Sequence, residues 1–248
     1  MKLKGLCHIL LGYSLIALPA QAKDLIIGVE DFSYLPIAAY QDNQYSGFAR
    51  ELFDEFAKVS KNNITYKAVS IADRYTALQD GKINFLFPGN PAWLDLKDTA
   101  RNGKKLHYSE PVLQFTDGSM VKPENKDKTI DSIKTLGTIK GFSVVSYETE
   151  IKADKIKVVE SDTLDDLLKQ VIAGKIDAAY ITPAVAQYQL THVLKQPNAL
   201  VFSKTLPRFD ADYFLVTIQE KAEMHEFNRF LEQKADWIKQ LKKKYELQ

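Results

Sequence analysis

The stretch "AGKIDAAYIT" (173–182) decides how this chain is read, because an upstream stretch, "DGKINFLFPG" (80–89), repeats it. Each copy is Gly-Lys-Ile, then Asp or Asn, then an apolar run, and each follows a segment with helical spacing. Gly81 and Gly174 stand where a helix ends in a left-handed residue, a conformation that favours glycine. The apolar runs behind them read as buried strands. Lys175 is expected at the surface and Asp177 in a structural role at its strand's start.

Working outward from the first copy, "DLIIGVED" (24–31) reads as a strand and "NITYKAVS" (63–70) alternates like one. Between them, "SGFARELFDEFAKVSK" (46–61) sets Phe48, Leu52, Phe53, Phe56 and Ala57 on one helical face. Ser70 and Asp73 form a capping-box pattern that opens the helix "IADRYTALQD". The order is β-α-β-α-β, the grammar of a parallel α/β sheet. The second half repeats it. "KIKVVE" (155–160) is a strand, and Ser161 to Thr163 cap the helix "LDDLLKQVIA". "IDAAYI" is the next strand, and Pro183 stands at the first position of another helix.

The doubled module predicts two α/β lobes. Two extended connections, "YSEPVLQFTDGSMVKPENKDKT" (108–129) and "LPRFDADYFLVTI" (206–218), would join them as a hinge with a cleft between. A last helix, about residues 222–245, carries Phe227, Phe230, Leu231, Ala235, Ile238 and Leu241 on one face and is expected to cover the first lobe.

The 248 residues allow one large domain or two small ones, with 45% hydrophobic and 26% charged residues as in ordinary globular proteins. The start, "MKLKGLCHILLGYSLIALPAQA" (1–22), has a charged beginning, an apolar stretch and an Ala-Gln-Ala site, the pattern of a cleaved export signal. Cleavage would remove Cys7, the single cysteine, and leave 31 Lys and Arg against 32 Asp and Glu. A near-neutral chain without disulfides suits a bacterial periplasm and gives no footing for nucleic acid. The basic tail "IKQLKKKYELQ" reads as a solvated helix end. His107, His192 and His225 lack metal-ligand spacing, and no nucleotide or nucleophile motif is present.

The ordered set "GVEDFSYLP", "YSGFARELFDEFAK", "RYTALQDGKINFLFPG", "LHYSEPVL" and "TLDDLLKQVIAGKIDAAYITPAVAQYQL" resembles the periplasmic solute-binding proteins of the polar amino acid type, family 3, which serve ABC importers. The resemblance implies an α/β, two-lobe periplasmic-binding-protein (Venus flytrap) fold of type II with two hinge crossings. Lobe 1 would be 23–116 with 209–248, and lobe 2 would be 117–208. Ligand would lie in the cleft, at the carboxyl ends of strands, where helix N-termini gather. The family places an Arg after the first Gly-Lys-Ile strand to clamp an α-carboxylate, and an Asp after the second to pair with an α-ammonium. Here the first position falls near Leu96, beside Lys97, with Arg101 about a turn too late; the second is Thr182. The expected ligand is therefore a small polar solute other than a standard free α-amino acid.

Candidate ligand contacts follow from position and chemistry. Asp31 and Tyr34 trail the first strand, Tyr45 precedes Gly47, and Arg74 opens a helix. Gly89 and Asn90 would let the backbone approach a ligand, and Trp93 offers an aromatic wall. Ser143, Ser146 and Tyr147 occupy the place of the family's anion loop, and Tyr180 and Thr182 end the second strand. Thr182 stands equally as the cap of the helix at Pro183. No cofactor, metal or catalytic residue is expected, and the chain is expected to act as a monomer. Beside delivery of solute to an ABC permease stand two rivals. One is presentation of the closed form to a membrane sensor. The other is a cyclohexadienyl dehydratase-like enzyme using Glu148 or Asp31 as acid/base.

Overall fold

The structure, a computed structural model, describes residues 22–93 and 104–247. Most of the expected leader, with Cys7, and the positions Leu96, Lys97 and Arg101 lie outside the described residues. The first half runs β1 (Asp24–Glu30), β2 (Ser33–Tyr34), β3 (Ala38–Gln41), β4 (Gln44–Ser46), α1 (Phe48–Ser60), β5 (Asn63–Val69), α2 (Arg74–Gln79) and β6 (Phe85–Gly89). Strand β1 pairs in parallel with β5 on one side and β6 on the other. The sequence did not announce the small antiparallel sheet β2-β3-β4. Its tight turn is made by Asp42 and Asn43, both at positive φ (52° and 59°), the backbone of a primed hairpin turn.

After β7 (His107–Tyr108), strand β8 (Leu113–Val121) leads into the second half. There follow β9 (Thr135–Ile139), α3 (Glu148–Lys152), β10 (Lys157–Ser161), α4 (Leu164–Ile172), β11 (Ala178–Ile181), α5 (Pro183–Tyr188) and β12 (Val201–Phe202). Strand β9 pairs in parallel with β10 and β11. Return is by β13 (Phe209–Thr217), and the chain ends in α6 (Lys221–Gln233) and α7 (Ala235–Lys244). The two long strands β8 and β13 are the crossings. They pair antiparallel with each other from Phe209↔Asp117 to Tyr213↔Leu113. Beyond that overlap β13 pairs with β6, and β8 pairs with β11. One sheet thus runs through both halves, parallel within each and antiparallel at the junction.

The doubled stretch has the same local physics in both copies. Gly81 and Gly174 have φ of 70° and 69° and end their helices. The residue two places after each lysine then staples the neighbouring strand. Asn84 Oδ1 accepts from the Ile26 backbone N–H at 2.8 Å. Asp177 Oδ2 accepts from the Lys134 and Thr135 N–H groups at 2.9 and 2.8 Å and from the Thr135 hydroxyl at 2.9 Å. These bonds satisfy strand-end donors that would otherwise be orphaned.

The first half's core is aromatic. Phe53 packs edge-on against Phe87 at 5.1 Å, and Phe56 meets Phe227 and Phe230 at 5.0 and 5.4 Å. Each such ring contributes on the order of 1.5–3 kcal/mol by leaving water. The C-terminal apolar stripe covers this half, but as two helices rather than one. The chain bends at Lys234, whose ammonium reaches Glu55 at 2.9 Å. The bend brings Phe227 and Phe230 on α6, and Ile238 and Leu241 on α7, into the same core, which a straight rod would not wrap.

Candidate functional site

A cavity of about 40 Å³ lies where β1, β6, the β2-β3-β4 sheet and both crossings converge with the loop after β9. That is room for about three water molecules. Its walls are mainly aromatic: Phe32, Tyr34, Tyr45, Phe87, Trp93, Phe142 and Tyr213. Three charged residues reach it, Glu30, Arg74 and Asp117. The site stands at the carboxyl ends of β1, β6 and β9, the place where open α/β sheets collect ligands.

Glu30 is the last residue of β1, and Arg74 is the first of α2. Their side chains, 10% and 9% exposed, form an ion pair at 2.7 Å. Burial pushes the Glu30 carboxyl up, opposed by the charge and hydrogen bond of Arg74. The guanidinium also stands over the rings of Tyr75 (5.5 Å) and Trp93 (5.4 Å). Arg74 is therefore committed to a carboxylate and two aromatic faces.

Across the cavity runs a directed chain of hydrogen bonds. The Tyr34 hydroxyl donates to Thr182 Oγ1 at 3.0 Å and accepts from the Thr182 backbone N–H at 3.2 Å. The Thr182 hydroxyl in turn donates to Asp117 Oδ1 at 2.6 Å. Tyr34 belongs to the first half, Thr182 to the second, and Asp117 to a crossing strand. Thr182 does occupy the N-cap position of α5, but its side chain makes no cap bond. Burial raises the Asp117 carboxyl to about 6, partly offset by the Thr182 hydroxyl. Burial likewise raises the Tyr34 hydroxyl well above its ordinary range, with the Asp117 charge adding to it. Phe32, Tyr34 and Phe142 meet as a three-ring cluster with centroids 5.5 to 5.6 Å apart. The Tyr45 hydroxyl is buried and has no hydrogen-bond partner among the described residues.

Of the residues singled out in the sequence, Tyr34, Tyr45, Arg74, Trp93 and Ser143 line this cavity, and Thr182 binds two of its walls. The others lie elsewhere. Asp31 points from the end of β1 to an exposed depression beside Tyr40 and Asp42, because strand alternation turns its neighbour Glu30 inward instead. Gly89 is glycine because a Cβ there would collide with the Val216 side chain of β13. Asn90 ties the following turn, donating to the Asp212 carbonyl at 2.8 Å and accepting from the Ala92 N–H at 2.7 Å. Tyr147 is fully buried with its hydroxyl 2.7 Å from Ser119, and Ser146 bonds Tyr180 at 3.0 Å. Tyr147 and Tyr180 pack the second half's own core rather than the cavity, with the half-buried Ser146 bonded beside them. Burial raises the Tyr147 and Tyr180 hydroxyls to about 12.

Sequence reasoning missed Glu30, Asp117 and Tyr213. The signal for Glu30 was a carboxylate ending a buried strand. Asp117 and Tyr213 sit on the extended connections, where a lone carboxylate among apolar residues was the available sign. No group of three or more metal-ligating side chains occurs among the described residues. No described helix is long and apolar enough to cross a membrane.

The sequence profile of the bacterial extracellular solute-binding proteins, family 3, matches residues 25–248. The chain belongs to that family. A comparison with curated protein sequences finds no match. Solved structures of family-3-like fold superpose over most of the chain. An arginine 3rd transport system periplasmic binding protein from Legionella pneumophila is 16% identical, with 90% of this chain and 100% of that one covered and a TM-score of 0.70. A histidine kinase sensor domain similar to periplasmic binding proteins is 17% identical, covering 89% and 95%, with a TM-score of 0.69. An ancestral amino acid-binding protein, a precursor of cyclohexadienyl dehydratase, is 19% identical, covering 90% and 94%, with a TM-score of 0.68. This family-3 protein therefore has the two-lobe, two-crossing Venus flytrap fold.

Proposed function

We propose that this chain is an exported, periplasmic solute-binding protein that captures a small polar solute between its lobes and delivers it to an ABC permease. Lobe 1 is assigned to 23–116 with 209–248, lobe 2 to 117–208, and the export signal to 1–22. The observation that carries the reading is the Tyr34–Thr182–Asp117 chain beside the cavity. It joins the first half, the second half and a crossing strand at one point, so the site is complete only when the halves meet. A solute that touches both lobes only in this arrangement stabilises closure by its differential contacts. Tyr34, Tyr45, Arg74, Trp93, Ser143 and Thr182, with Glu30 and Asp117, are the assigned contacts or their supports.

The solute is not a standard free α-amino acid in this reading. Arg74 is already paired with Glu30, and the second anchor is Thr182 rather than a carboxylate. Presentation to a membrane sensor uses the same site, and likeness to a histidine kinase sensor domain supports keeping that second reading. The test is mass spectrometry of small molecules released from the denatured purified protein, followed by a thermal-shift screen. A released solute that raises the melting temperature is expected. A standard amino acid in that role overturns the ligand assignment, and no bound or stabilising solute overturns the binding function. Purified protein is expected not to turn over prephenate.

A further inference from the structure

The cavity's charges do not balance. Glu30 and Arg74 neutralise one another at 2.7 Å. Asp117 remains. Its described hydrogen bond comes from the Thr182 hydroxyl, and no Lys or Arg among the described residues is ion-paired with it. A partly buried carboxylate without a cationic partner carries an unrecovered desolvation cost. A cation placed in the cavity offsets it. The rest of the wall fits such an occupant. Phe32, Tyr34 and Phe142 form an aromatic cluster in the wall, and Tyr213 adds a further ring, whereas Trp93 already carries the Arg74 guanidinium. Ring faces attract a desolvated ammonium head. The Tyr45 side chain, 4% exposed, also lines the wall. A carboxylate finds no free cation in this wall among the described residues, since Arg74 is taken.

Resting on the solute-binding reading above, we infer that the solute is a small organic ammonium compound without a carboxylate, its cationic head held between Asp117 and the aromatic walls. Burial raises the Asp117 carboxyl, and a cation beside it would favour the charged form.

Calorimetric titration of the whole mature chain at pH 7.5 tests this with defined probes. Choline and ethanolamine carry the ammonium head, 3,3-dimethylbutanol is the uncharged isostere of choline, L-alanine adds an α-carboxylate, and succinate is anionic. At least one of the two cations is expected to bind, about 10-fold or more tighter than the isostere. Asp117→Asn is expected to weaken that cation by about 10-fold or more while leaving the melting temperature no lower. Should the variant fail to fold, the cation-to-isostere ratio on the wild-type chain decides alone. Equal binding of choline and its isostere, or binding of L-alanine or succinate in preference to both cations, overturns the inference and leaves the solute-binding function standing. Failure of all five probes, with no co-purifying small molecule, overturns both.

Discussion

Glu30 and Arg74 show what one side chain is worth in a buried pair. Removing the guanidinium leaves a carboxylate stranded at the end of β1, and Arg74→Met is expected to cost about 3–5 kcal/mol in denaturant unfolding. Loss of under 1 kcal/mol would mean that Glu30 is solvated after all. Asp117 behaves oppositely. Its folded-state acidity is weaker than that of an unfolded Asp, so the fold binds its proton more tightly; the stability cost of the charged form sets in as the pH rises past the ordinary Asp value of about 3.9 and is complete above the folded value of about 6. Asp117→Asn is expected to stabilise the ligand-free protein at pH 7.5 by on the order of 1–3 kcal/mol. Thr182, Tyr34, Tyr180 and Tyr213 are the polar or titratable neighbours that share this environment. Asp177 has the reverse sign. Burial works to raise its carboxyl, but hydrogen bonds from Lys134 and Thr135 outweigh it and the net shift is downward. Its stabilisation is full above the ordinary Asp value of about 3.9 and is lost as the pH falls through the lower folded value. Acid titration of stability should therefore be shallower for Asp177→Asn than for the wild type.

Among the elements, the hairpin from β3 to β4 sets Tyr45 into the cavity wall. Its turn needs two left-handed residues, Asp42 and Asn43. Asn43→Gly is expected to leave stability unchanged or slightly raised, whereas Asn43→Val should cost about 1 kcal/mol or more, read from thermal unfolding. This hairpin also marks the limit of legibility. Helices α1 and α4 could be read because their apolar stripes are local signals, and α4 also carries a glycine stop at Gly174, whereas α1 ends at Lys61 in the left-handed region without one. The strands β2, β3 and β4 are two to four residues long, too short for alternation to register. The site divides along the same line. Tyr34, Tyr45, Arg74 and Trp93 lie next to strand ends or helix starts that the sequence marks. Glu30 gains meaning only from Arg74, 44 residues away. Asp117 sits in "FTDGS", which by itself looks like a turn, and only the pairing of β8 with β13 makes it part of a crossing. Chemistry that depends on long-range pairing leaves little trace in local pattern.

For the whole molecule, closure is the functional event of the proposed binding cycle. One hydroxyl of the first half, that of Tyr34, makes two hydrogen bonds to Thr182 of the second half. Tyr34→Phe removes both while keeping the ring that packs on Phe32 and Phe142. Each bond contributes roughly 0.5–1.5 kcal/mol to the closed form, so the variant should bind solute about 5- to 100-fold more weakly with little change in fold stability. Capture by closure is tested by the distance between spin labels on exposed positions of the two halves, Lys67→Cys and Asp162→Cys, in the leaderless chain that lacks Cys7. With the co-purifying solute removed and then restored, the distance distribution is expected to shift to a single shorter, narrower peak, and Tyr34→Phe to need more solute to reach it. A distribution that stays the same with and without saturating solute would contradict capture by closure.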